Sequence, residues 1–149
     1  MGSFTGSAVI SGNTIENINP VQLLNESFNV GIQAQFCQSL SLNNNNFSNL
    51  IIGANLIFTN ATIENNSYSD VICFLSHSTT ASVNFQEEIE WWSVNGNIEY
   101  EGQNFDVISY FNSLDNAILA ASINGSDIIS YDGTIYDSSG NQGGCEDND

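Results

Sequence analysis

The chain contains no lysine and no arginine. Seventeen carboxylates face a single histidine, and the formal charge at pH 7 is −17. Nothing is present to neutralise phosphate, so no nucleic-acid partner is expected. Anionic membrane surfaces fall away on the same ground. Internal ion pairs are limited to His77 and the chain's amino terminus. Carboxylates packed without cations repel, which predicts folded-state carboxyl pKa values above the ordinary range. Stability would then rise as pH falls toward about 4.

Other absences narrow the field further. No stretch of about 18 apolar residues occurs, so no membrane-spanning helix is expected. The opening MGSFTGSAVIS has neither the basic nor the apolar region of a signal peptide. The three cysteines form no C-x-x-C pair, which argues against a zinc site. Cys37 and Cys73 both fall in strand-like segments and suit a disulfide outside the cell, whereas in a reducing compartment all three cysteines are free thiols. With the disulfide formed, Cys145 is left over for pairing between subunits.

What is present reads as one β-rich domain. At 149 residues with 41% apolar composition, the chain can bury a core. From Phe28 to Leu42, the residues Phe28, Val30, Ile32, Ala34, Phe36, Leu40 and Leu42 share even phase. Asn29, Gln33, Gln35, Ser39 and Ser41 take the odd positions. A period of two marks a strand with one dry face. Fifteen residues is long for one strand, so a bend is expected near Cys37. Ser3 to Ile10 reads as a first strand, flanked by glycines and free to fold back or to pair with another subunit. Asn19-Pro20 caps a short helix over Val21 to Glu26.

Strands are expected over Leu50 to Phe58 and Asp70 to Leu75, with a turn at Glu64 to Ser67. The steps Ala54-Asn55-Leu56, Thr59-Asn60-Ala61, Glu64-Asn65-Asn66 and Ser69-Asp70-Val71 are similar to pentapeptide repeats, which stack as a solenoid. Asn95-Gly96 and Asp132-Gly133 are hairpin signals, and Gly102 provides a further turn. Ser113 caps a helix over Ser113 to Ile123 that Asn124-Gly125 ends; a strand running into an Asn-Gly hairpin is the alternative. The resulting fold class is all-β, an antiparallel β-sandwich or jelly roll with one or two short helices. A β-solenoid is the alternative. Residues 1–12 form a strand or exchange arm, 13–137 the sandwich domain, and 138–149 a polar acidic tail.

The candidate sites are few. Asp127, Asp132 and Asp137 recur every five residues and suit weakly bound Ca²⁺; no other cofactor is implied. Asn25, Asn46, Asn60, Asn65 and Asn124 begin N-x-S/T sequons and would carry glycans in an exported chain. Glu88 and Glu90 beside Trp91 and Trp92 are the parts of a sugar-binding face, or of a small glycan hydrolase. His77 has no partner at catalytic spacing, and no enzyme is expected. These features together point to a self-assembling structural subunit of an extracellular or cell- or virion-surface filament, pilus or coat. Its partner would be itself, joined through the first strand. The alternative is a lectin-like, Ca²⁺-assisted carbohydrate-binding module.

Overall fold

The computed structural model describes residues 6–17 and 29–142. Among these residues the fold is all-β with one short helix, and the strands form two sheets without a closed barrel. The expected helix over Val21 to Glu26 and Cys145 lie outside the described residues.

The strands up to Phe85 wind as stacked coils. The first sheet holds β1 (Ser7–Ser11), β4 (Ser39–Asn43), β6 (Ala61–Glu64) and β8 (Val83–Phe85), side by side and all parallel. The second holds β2 (Thr14–Glu16) and β3 (Val30–Gln35), both parallel to β5 (Asn46–Ile57), which is parallel to β7 (Ser67–Ser78). Asn46 registers with Ser67, and Leu40 with Ala61, so one coil takes 21 residues here. The antiparallel sense expected throughout therefore fails over the first eight strands. Their winding is that of the solenoid alternative, with a step of 32 residues from β1 to β4 and from β2 to β5 and of 21 or 22 elsewhere, rather than five.

Each coil turns at residues in the left-handed region. Gly12 (φ 76°), Asn44 (φ 59°) and Asn65 (φ 60°) make one corner. Asn49 (φ 56°) and Asp70 (φ 56°) bend β5 and β7 in mid-strand. Phe36 (φ 57°) and Phe58 (φ 49°) make the third corner, which is the bend expected near Cys37. Glycine, asparagine and aspartate enter this region at the lowest cost, which accounts for the first two corners. The three turns give the coil three sides, and apolar side chains stack inside it. Leu42 lies over Ile63, Leu50 over Val71, and the Phe47 and Tyr68 rings stack at 5.3 Å. Leu42, Phe47, Leu56 and Ile63 are almost fully buried, each worth about 1.5–3 kcal/mol.

Antiparallel pairing takes over at the far end. β10 (Gln103–Phe111) pairs with the outer edge of β7, and β9 (Trp92–Tyr100) pairs with β10. Their turn is Glu101-Gly102, both with positive φ, and not Asn95-Gly96. β9 runs straight through Gly96, which registers with Val107 of β10, and a Cβ there would come within 3.3 Å of Asn124 Nδ2. The helix α1 (Leu114–Asn124) is capped by Ser113 and ends at left-handed Gly125, as the sequence predicts. It packs Ala117 and Ala121 on Val94 and Ile128. β11 (Ile128–Ser130) and β12 (Ile135–Tyr136) close the sheet across the Asp132-Gly133 turn. The first part of the expected tail is ordered into a turn, and Gln142 bridges back to Tyr136.

Candidate functional site

A polar column, buried from Asn45 to Glu87, runs through the first corner of the coils. The Asn13 backbone N–H and Nδ2 donate to Asn45 Oδ1 at 3.0 and 3.2 Å. The Asn45 N–H and Nδ2 donate to Asn66 Oδ1 at 2.8 and 3.1 Å. The Asn66 N–H and Nδ2 donate to the two Glu87 oxygens at 3.1 and 2.7 Å. Asn45 Nδ2 also serves Ile10 O, and Asn66 Nδ2 serves Leu42 O, each at 3.0 Å. An amide side chain both accepts and donates, so it can relay hydrogen bonds from coil to coil. A carboxylate only accepts, so Glu87 ends the relay. The Tyr68 hydroxyl gives Glu87 a third bond at 2.6 Å. Burial first, then Glu87, pushes the Tyr68 phenol far above its ordinary pKa. This column was not foreseen; the signal was the recurrence of Asn44-Asn45 as Asn65-Asn66.

The expected sites are placed as follows. Glu88, Glu90 and Trp91 meet in one shallow groove of about 360 Å³, with Glu87, Ile89 and Tyr131. The Tyr131 hydroxyl donates to Glu90 Oε2 at 3.1 Å. Trp92 lies outside that lining and meets Tyr131 edge-on at 6.2 Å. Trp91 packs on Phe85 and Tyr110.

The three aspartates do not converge. Among the described residues, no group of three or more His, Cys, Asp or Glu side chains is placed to hold a metal ion. Asp132 accepts from the Ser130 hydroxyl and the Thr134 N–H. Asp137 accepts from the backbone N–H groups of Ser139 and Asn141, both at 2.9 Å. These hydrogen bonds hold both carboxyls below their ordinary pKa, opposite to the direction that repulsion predicts.

Cys37 and Cys73 are free thiols, not a bridge. Cys37 sits at the corner after β3, whereas Cys73 is buried in β7 between β5 and β10. Burial pushes the Cys73 thiol up to about 12. Of the sequons, Asn46, Asn60, Asn65 and Asn124 are exposed and Asn25 lies outside the described residues. Asn60 is tied on both sides, donating to Gln38 O at 3.1 Å and accepting from Ser82 N at 2.8 Å.

His77 is buried on β7. Its Nδ1 lies 3.0 Å from Ser78 O, so the neutral ring carries its proton there. Nε2 then accepts from the Tyr110 hydroxyl at 3.2 Å. Burial lowers its pKa, partly offset by the Ser78 carbonyl.

The opening strand folds into its own chain. β1 pairs with β4 from Ser7↔Ser39 to Ser11↔Asn43. Its outer edge meets no strand among the described residues, and the same holds for the outer sides of β2 and β3. Charge is distributed very unevenly along the stack. Of the seventeen acids, only Glu16 and Glu26 precede Glu64. The first two coils, as described, carry Glu16 alone, and the acids gather toward the β9–β12 end. No family model, curated protein or solved structure matches this chain.

Proposed function

We propose that this protein is a structural, self-assembling subunit of an extracellular or surface assembly, such as a filament, pilus or coat. The observation that carries the reading is the outer edge of β1, which meets no strand among the described residues, at an end of the stack where those residues carry a single acid, Glu16. Monomeric proteins blunt such edges with charges, prolines or bulges; Ser7-Ala8-Val9-Ile10-Ser11 has neither charge nor proline. Because β1 is already the first rung of its own sheet, copies join by adding edge to edge and need not exchange the strand. A surface with no lysine or arginine offers nothing to proteases that cut after basic residues, which suits an exposed assembly. No described helix is long and apolar enough to cross a membrane.

Electron microscopy and sedimentation velocity over a hundredfold range of protein concentration test this. Growth in mass with concentration is expected. A chain that stays a monomer throughout would end the proposal.

A second reading is favoured by one feature, the groove where Glu88, Glu90, Trp91 and Tyr131 meet. An aromatic face beside carboxylates suits a carbohydrate, with or without Ca²⁺. A glycan array with and without chelator tests it; binding lost in Trp91→Ala would support it, and an empty array would not.

A further inference from the structure

We infer that two copies of this chain join head to head, β1 against β1 of the second copy, about a twofold axis near Val9. The inference rests on the self-assembly reading and specifies its first contact.

Charge decides between the two ends. Parallel rungs lie about 4.8 Å apart. Glu64 and Asp70 sit in the third coil, on β6 and β7. In a head-to-head pair, the third coils of the two copies are five rungs apart, roughly 24 Å. That is about three screening lengths at physiological salt, where the Debye length is about 8 Å. Among the described residues, only Glu16 of each copy stays near the junction. A junction through the opposite end would set Glu87, Glu88 and Glu90 of one copy against the other with no cation to offset them.

The strand edges give the same answer. At the far end, β10 already occupies the outer edge of β7. Head-to-tail growth would have to use β8, three residues long and followed within five residues by Glu87, Glu88 and Glu90. β1 offers five residues.

The sequence of β1 is self-complementary about its centre. An isologous contact places each residue opposite its symmetry mate. Antiparallel pairing centred on Val9 sets Ser7 against Ser11, Ala8 against Ile10, and Val9 against Val9 of the other copy. No polar residue then faces an apolar one, and no charge is covered. Val9 is 72% exposed, so the contact would cover apolar surface.

The test is sedimentation velocity of the full chain, of Val9→Asp, and of Leu119→Asp as a control at the acidic end. Leu119 and Val9 are both well exposed, so neither change should disturb folding, and far-UV circular dichroism with melting checks that. Like charges directly opposite each other weaken strand pairing. Val9→Asp should therefore raise the dimer dissociation constant about tenfold or more, while Leu119→Asp leaves it unchanged. Val9→Pro, which removes an edge N–H, should act in the same direction if Val9→Asp fails to fold. Assemblies that persist unchanged in a folded Val9→Asp would overturn the head-to-head contact and leave self-assembly standing. A wild-type monomer at every concentration would overturn both.

Discussion

Replacing Asn66 by leucine removes the central relay of the polar column without changing the apolar packing around it. Asn66 Oδ1 is the acceptor for the Asn45 N–H, and Asn66 Nδ2 supplies Leu42 O and Glu87. In Asn66→Leu, the buried Asn45 N–H is orphaned, Leu42 O loses a donor, and Glu87 keeps two donors of three. The orphaned N–H costs about 1–3 kcal/mol and the lost hydrogen bond to the charged Glu87 about 1.5–3 kcal/mol, so the two together cost about 4 kcal/mol. Apolar burial of the leucine returns about 1 kcal/mol. The net loss is about 3 kcal/mol, a large part of a typical stability of about 5–15 kcal/mol. For a domain of this size it lowers Tm by about 6–12 °C. The control is the next residue, exposed and left-handed Asn65. Asn65→Gly relieves the backbone and should stay within about 1 kcal/mol of wild type. Urea titration followed by circular dichroism measures both. A loss under about 1 kcal/mol for Asn66→Leu, or one equal to that of Asn65→Gly, would refute the relay.

Three further outcomes are expected. His77 is buried with its pKa lowered below the ordinary value, so the unfolded chain binds the extra proton first. Its contribution is present above about pH 6.5 and is lost as pH falls toward the folded value; melting from pH 7 to 5 should show a steeper fall for wild type than for His77→Gln. In a Cys145→Ser background, a thiol reagent should modify Cys37 in the native protein and Cys73 only after unfolding, because burial keeps the Cys73 thiol protonated. A Cβ at Gly53 would lie 2.7 Å from Phe74 O on the next coil; Gly53→Ala should cost about 1–3 kcal/mol by forcing coils apart, read from the urea midpoint.

Strand content was legible because alternation needs only local sequence. Leu40 and Leu42 face the core, and the chain turns at Phe36, next to Cys37, because fifteen residues are too long for one strand. The helix from Ser113 to Gly125 was legible because its caps are local chemistry. The pairing sense was not, since a period of two reads the same in parallel and antiparallel sheets. The coil repeat was masked by unequal spacing. Asn44 to Ile52 and Asn65 to Cys73 align at a step of 21, but Thr14 reaches Asn46 only after 32. Glu87 ends the column where another asparagine would have continued the pattern, so it reads as one acid in a cluster. Asn95-Gly96 misled because a turn dipeptide also fits a strand where its neighbours leave little room.

Concentration-dependent hydrogen exchange on the full chain, read amide by amide, tests most directly whether the β1 edge is where copies meet. Amides of Ser7–Ser11 should slow as concentration rises, while those of Leu114–Asn124 keep one rate. Rising mass with unchanged exchange across Ser7–Ser11 would contradict the account.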